Sequence, residues 1–281
     1  MTMRDLSRDT GLLSLNTATI GWERTIREAV EACEKSGIPA IAPWRHQMHA
    51  GGFANNARLI GSAGLEVTGL CRGGFFTTSD ASRHDEAMDD NRRAVDEALE
   101  LGARCLVLVV GGLAEGSRDL AGARQQVFDS IAELARYARP AGMPLAIEPM
   151  HPMYCADRGC VNTLGHALDI CDALGDGIGV VIDVYHVWWD PDLETQIRRA
   201  GQGGRILAYH VCDWRRETRD LLFDRAMMGD GVIELKRIRA LVEDAGYDGR
   251  CEVEIFSKLD WWKRPVDEIV RTCVERHRSV V

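Results

Sequence analysis

The stretch VVIDVYHVWWD at residues 180–190 sets a carboxylate, Asp183, inside an otherwise apolar run, with His186 three residues further on. A carboxylate buried without a partner is strongly disfavoured, so a group of opposite charge is needed beside Asp183. Three other apolar runs carry a similar interruption: Glu148 in PLAIEPM (144–150), His210 in RILAYHV (205–211) and Glu254 in CEVEIFS (251–257). Three carboxylates and one imidazole form a hard, oxygen-rich donor set that suits Mn²⁺, Mg²⁺ or Co²⁺ better than a thiolate-type zinc site. One divalent ion on Glu148, Asp183, His210 and Glu254 is therefore the expected cofactor, with Mn²⁺ as first choice. The competing reading pairs each residue separately with an arginine or a backbone donor, which requires four independent partners. Glu252 complicates the set, because strand alternation puts it on the same face as Glu254. Glu254 lies nearer the strand's C-terminal end and is preferred.

The elements that position these residues recur along the chain. Apolar runs near 11–17, 38–44, 65–71, 105–110, 144–150, 179–186, 205–211 and 251–257 read as eight strands. Several follow a glycine turn (SGIPA, AGLEV, LGARC, AGMPL, AGYDG) of the kind that stops a helix. Segments of helical period lie between them. Ile26, Ala29, Val30 and Cys33 share one face, as do Val127, Ile131, Leu134 and Ala135, and as do Val266, Ile269, Val270, Cys273 and Val274. Asp190-Pro191 reads as an N-cap followed by proline at the first helical position. Apolar strands alternating with amphipathic helices imply a parallel sheet covered by helices, and eight units in 281 residues favour a closed (β/α)8 TIM barrel spanning 1–281 as a single domain. In that fold the C-terminal strand ends form the active site, where Glu148, Asp183, His210 and Glu254 fall on four consecutive strands. No GxGxxG follows the first run, and Gly111-Gly112 alone does not make a dinucleotide site.

Composition narrows the function classes. Hydrophobic residues make up 46% of the chain and charged ones 27%, enough for a large core. A net charge of −9 without a basic patch argues against nucleic acid. The segment MTMRDLSRDT is polar, and no apolar run approaches membrane-spanning length, so neither a signal peptide nor a membrane partner is expected. Nine cysteines without a CxxC pair read as reduced thiols of a cytoplasmic protein.

The order Glu148, Asp183-x-x-His186, His210 and Glu254 on strands five to eight resembles the xylose isomerase-like TIM barrel superfamily. Within it, the sugar phosphate isomerase/epimerase group and its ketose 3-epimerase relatives are the nearest pattern, over nearly the whole chain. The resemblance implies that the four residues bind one divalent metal and that Glu148 and Glu254 exchange a proton at the carbon beside a keto-sugar carbonyl. It also implies that His186 hydrogen-bonds a substrate oxygen, and that Arg225, in DRAMMGDG, binds substrate; Arg216 competes when counted from His210. The chemistry is coherent on its own terms. A metal on carbonyl and hydroxyl stabilises an enediolate, a carboxylate moves the proton, and the product is an epimer or an isomer.

Seven tryptophans each follow a strand end: Trp22, Trp44, Trp188, Trp189, Trp214, Trp261 and Trp262. Indole faces stack on sugar rings, so Trp44, Trp188 and Trp214 are expected to bind substrate, with core filling under loops as the alternative. No glycine-rich nest and helix start follow strands seven and eight, which favours an unphosphorylated sugar or glycoside. The loop PMHPMYCADRG after Glu148 is longer than the epimerases usually have and presents His151, Tyr154 and Arg158. His151 is either an idle loop residue or an extra general base. An extra base suits β-elimination, and the catalytic subunits of metal-dependent C-glycoside deglycosidases are relatives that cleave 3-oxo-glycosides so. That lyase reading would bring a small partner subunit; the isomerase reading expects a homo-oligomer. An endonuclease IV-like DNA repair enzyme would need histidines where strand three ends in Cys71-Arg72 and strand four in Gly111-Gly112. A non-catalytic sugar-binding barrel would be expected to lack a ligand, and none is missing.

Overall fold

The computed structural model describes residues 4–8 and 10–281. The reading of the N-terminal ten residues falls partly on residues 1–3 and Asp9, which lie outside the described residues, as does their share of the 1–281 domain.

Nine parallel strands run in chain order: β1 Leu13–Asn16, β2 Ala40–Ala42, β3 Glu66–Val67, β4 Leu70–Gly74, β5 Leu106–Val109, β6 Leu145–Ile147, β7 Ile178–Asp183, β8 Ile206–Val211 and β9 Cys251–Val253. β3 and β4 are two halves of the expected third strand. β3 pairs with β2, β4 pairs with β5, and β1 pairs with both β2 and β9. Cys71 N–H donates to the Pro43 carbonyl at 3.0 Å, so the run 65–74 joins the two ends of the sheet and the barrel closes. Between successive strands lie the helices Ile26–Ser36, Phe53–Ser62, Ala81–Glu100, Leu120–Ala141, Leu164–Leu174, Leu193–Gln202 and Leu235–Asp244, with Val266–Ser279 following the last strand. The five glycines expected to stop helices, Gly37, Gly64, Gly102, Gly142 and Gly246, all have positive φ.

Asp190-Pro191 is not the helix start expected of it. The helix begins at Leu193 after Asp192, while the Asp190 carboxylate accepts from Asp192 N–H at 2.9 Å. The pair therefore builds the turn that leads into the helix.

Alternation along the strands sorts the core into two parts. Leu106, Leu108, Leu145, Ile147 and Ile182 face the helices and join the main core. Cys71, Cys105, Val107, Ala146, Val181 and Ala208 are small and fill the barrel interior. Two residues further along the same inward face come Glu148, Asp183 and His210, and β1 repeats the pattern with Ser14 and Asn16. The register pairs Asp183 with His210 and His210 with Glu252, which sets Glu254 one inward step above Glu252. An apolar plug thus gives way to a buried polar layer near the C-terminal rim.

Candidate metal centre and active site

Glu148, Asp183, His210 and Glu254 are all buried, and each offers a ligand atom within 4.8 Å of the others. His210 Nδ1 lies 3.7 Å from Glu148 Oε1 and 3.8 Å from Glu254 Oε2. Its Nε2 faces Glu252 Oε1 at 3.3 Å. Neither ring nitrogen has a hydrogen-bond partner, although the side chain is wholly buried. An unsatisfied buried polar group costs roughly 1–3 kcal/mol, so two on one ring need a compensating ligand. A cation on Nδ1 would supply it, with the carboxylates completing a donor set of the expected hardness; the residues fit one divalent ion.

The surrounding charges separate the two glutamates. Burial pushes Glu148 up to about 8, and the carboxylates of Glu254 and Asp183 add to the effect. Burial also opposes ionisation of Glu254, but His210 and Arg225 overcome it and hold that carboxyl below its ordinary range. Burial disfavours a charged His210, yet Glu252, Glu254 and Glu148 outweigh it and raise the imidazole to about 10.

Glu252 occupies the step below. Asn16 Nδ2 donates to Glu252 Oε1 at 2.8 Å and to Glu254 Oε1 at 3.0 Å, and the Thr68 hydroxyl donates to Glu252 Oε2 at 2.8 Å. Trp44 Nε1–H donates to Asn16 Oδ1 at 2.9 Å, which fixes the amide's orientation. Asn16 was not singled out from the sequence; the polar end of the run GLLSLNT was the available signal.

Arg225 is buried beside these carboxylates. Its Nη1 donates to Asp183 Oδ2 at 2.9 Å and to Glu254 Oε2 at 3.1 Å, and its guanidinium lies 4.3 Å from the Tyr185 ring centroid. Arg216, the competing arginine, is exposed. Asp213 anchors the loop that delivers Arg225. Its carboxylate accepts from the backbone N–H groups of Trp214, Gly229, Gly231 and Ile233 at 2.8–3.0 Å, while Asp213 and Ala226 exchange backbone bonds of 2.9 Å. Gly231 is required there, because a Cβ would lie 2.3 Å from Asp213 Oδ1. Asp213→Ala leaves four backbone donors without their acceptor. We expect it to lower Tm by about 5–10 °C, given about 2–4 °C per kcal/mol for a protein of this size. A melting curve within about a degree of wild type would show that the loop does not depend on this carboxylate.

His186 is also buried and lines the site. His151 backbone N–H faces its Nδ1 at 3.2 Å. Burial drives the imidazole down to about 3, against the opposing pull of Asp183, and keeps it neutral. Its Nε2 stands 3.1 Å from Arg225 Nη2. Both ring nitrogens thus face N–H donors, of which a neutral imidazole can accept only one.

Not every expected residue reaches this place. A cavity of about 60 Å³ at the ligands is lined by Glu148, His186, Arg225 and Glu254, with Trp22, Trp44 and Phe256 among its aromatic walls. The His151 ring lies outside that lining. It stacks on Trp214 at 4.8 Å, packs edge-on to Trp189, and accepts from Met153 N–H at 3.2 Å. The tryptophans divide into two groups instead of gathering at one mouth. Trp22 packs with Trp44 and Trp262 on one side, while Trp214 packs with Trp188 on the other. Trp188 and Trp189 line a different cavity with Asp190 and Glu194. Of the three tryptophans expected to bind substrate, Trp44 alone lines the site among the described residues; Trp188 and Trp214 pack away from it.

Comparison with known proteins agrees with this architecture. The profile described as xylose isomerase-like TIM barrel matches residues 23–273. Inosose isomerase of Halalkalibacterium halodurans is 25% identical over 210 residues, which cover 74% of this chain and 72% of that enzyme. The crystal structure of protein SMc04130 from Sinorhizobium meliloti 1021 superposes with a TM-score of 0.95 at 60% identity, over 97% of this chain and 99% of its own. The IOLI protein, solved with a bound zinc atom, shares the fold with a TM-score of 0.82 at 22% identity, over 95% of this chain and 97% of its own. The chain belongs to the xylose isomerase-like TIM barrel family.

Proposed function

We propose that this protein is a divalent-metal-dependent sugar isomerase or epimerase that moves a proton at the carbon beside the carbonyl of a keto-sugar. The observation that carries the reading is the meeting of Glu148, Asp183, His210 and Glu254 within 4.8 Å on neighbouring strands. The likeness to an inosose isomerase supports it. A divalent ion held by Glu148, Asp183, His210 and Glu254 would supply Lewis-acid polarisation beside the carbonyl, and Mn²⁺ is our choice among the hard cations. Glu254, held ionised by His210 and Arg225, takes the proton from carbon. Glu148, whose surroundings favour the protonated form, returns one. Carboxyls pushed in opposite directions divide acid from base in this way. His186 and Arg225, which both line the cavity, hydrogen-bond a substrate oxygen. Trp22 and Trp44 wall the cavity and exclude water. Glu252, 3.3 Å from His210 Nε2, attracts that edge of the ring and so keeps Nδ1 turned toward the other three carboxylates.

The feature that favoured elimination, the His151 imidazole, lies outside the cavity lining, so isomerisation is the reading we keep. Nine free cysteines, eight of them buried, suit a reducing compartment such as the cytoplasm. Incubating the Mn²⁺-loaded enzyme in D₂O with a panel of ketoses and 3-oxo-glycosides tests the proposal. Deuterium entering an intact sugar is the expected outcome; release of an aglycone without exchange in any intact sugar would replace isomerase by lyase.

The site also carries a pH signature. An imidazole must be neutral to ligate, and His210 is charged until about pH 10 before the ion arrives. Binding therefore displaces at least one proton, and affinity for Mn²⁺ should rise with pH between about 6 and 8, by about tenfold per unit for each proton released. Calorimetric titrations in buffers of different ionisation enthalpy measure this directly. An affinity flat across that interval, with no proton release, would contradict the assignment of His210.

A further inference from the structure

The cavity at the metal ligands contains two guanidinium groups that the proposed proton transfer does not use. Arg72 is the extra residue of a bulge, because β4 shifts register against β5 between Cys71 and Gly73. Bulges redirect a side chain at the rim of a barrel. The residues after it are held tightly. Gly74 has φ 106°, and a Cβ there would lie 2.0 Å from the Val109 carbonyl oxygen. Phe75 has φ 53°, an uncommon conformation for a bulky residue, and its ring lies under the Arg72 guanidinium at 3.9 Å. This segment aims Arg72 into the inner cavity of Glu148 and Glu254 and into an adjoining outer cavity of about 530 Å³.

The Arg72 guanidinium forms no side-chain hydrogen bond or ion pair among the described residues; its contact is the Phe75 ring. Asp90, the carboxylate that lines the outer cavity with it, is engaged by Arg45 at 2.8 and 3.0 Å and by Arg93 at 3.0 Å. Arg158 lines the same inner cavity, and its one carboxylate neighbour is Asp157, exposed and 3.7 Å away. Burial and the Arg158 charge together press the Arg72 guanidinium down to about 10. Glu148 and Glu254 line the same cavity but pair with neither guanidinium, so two cations face it without an ion pair to its carboxylates and suit an anion from the ligand.

We propose that Arg72 and Arg158 form an oxyanion subsite, so that the substrate is a keto-sugar bearing a phosphate monoester or a carboxylate. This deepens the isomerase reading, on which it rests for the sugar, and it revises the expectation of an unphosphorylated sugar or glycoside. The earlier expectation looked for a glycine-rich nest after strands seven and eight; the basic groups come instead from β4 and the loop after β6.

The test is calorimetric binding of D-fructose, D-fructose 6-phosphate and 5-keto-D-gluconate to the Mn²⁺-loaded full chain. At low salt, at least one anionic sugar should bind about 10–100-fold more tightly than D-fructose, the range of charge-assisted hydrogen bonds, and the advantage should shrink as salt is added. Preference for the phosphate names a phosphate monoester, and preference for the keto-acid names a sugar acid. Arg72→Met and Arg158→Met should each remove most of the advantage, while Arg72→Lys, which keeps the charge, should retain much of it; Arg158→Met serves alone should the Arg72 variants fail to fold. Equal binding of all three sugars, or an anion advantage untouched by both methionine variants, would overturn the subsite. Deuterium exchange is read separately. An anion advantage that depends on the arginines without exchange upholds the subsite and removes the isomerase reading, whereas exchange with equal binding does the reverse.

Discussion

Glu254→Gln is expected to reduce kcat by about 10²–10⁴-fold, the usual contribution of a positioned general base. The substitution preserves size and leaves an amide oxygen able to coordinate, so metal content should fall far less than turnover. It also preserves an acceptor for Asn16 Nδ2, which reaches Glu254 Oε1 at 3.0 Å. The proton acceptor itself is lost, because an amide does not take a proton from carbon. Binding and chemistry are therefore expected to separate, with KM moving little and kcat collapsing. A Glu254→Gln enzyme of near-normal kcat would remove this residue from proton transfer. Glu252 would not be an easy replacement, since Asn16 and Thr68 already occupy its oxygens.

Glu252→Gln should weaken Mn²⁺ binding by about 10–100-fold, the effect typical of losing a carboxylate behind a metal-ligating histidine. Two physical causes act together. Glu252 faces His210 Nε2 at 3.3 Å, so its charge makes the imidazole a stronger ligand and holds the ring's orientation. It also adds negative potential one step below the site. Gln keeps the volume and an acceptor oxygen, so the melting temperature of the metal-free protein should change much less than the affinity. Calorimetric titration of wild type and variant measures the difference, and equal affinities would show Glu252 to be a packing residue only.

The barrel was readable because each strand announces itself as a short apolar run and each helix by its period. Asp183, His210, Glu148 and Glu254 were readable for a related reason: a charge inside an apolar run must have a partner, and strand alternation puts all four on one face. Side-chain direction in loops was not readable. Each tryptophan follows a strand end, yet whether an indole turns toward the axis or packs over a helix depends on contacts such as Trp214 with His151. The same limit applied to His151, whose place three residues after Glu148 says nothing of where its ring points. Arg225 and Arg216 sit in one loop, and spacing alone left both open; burial against Asp183 and Glu254 separates them. The bulge at Arg72 left no mark on a run that reads as ordinary strand, because a one-residue shift in register appears only when the partner strand is in place.

The central claim is that Glu148, Asp183, His210 and Glu254 together hold one divalent ion that the activity requires. Exhaustive chelation followed by Mn²⁺ titration, with bound metal and keto-sugar turnover followed in the same samples, tests it most directly. The account predicts that activity vanishes with the metal and returns in step with binding, reaching its full value near one equivalent per chain, and that Asp183→Ala and His210→Ala abolish that site. Full activity in the metal-free protein, or undiminished binding in those variants, would contradict it.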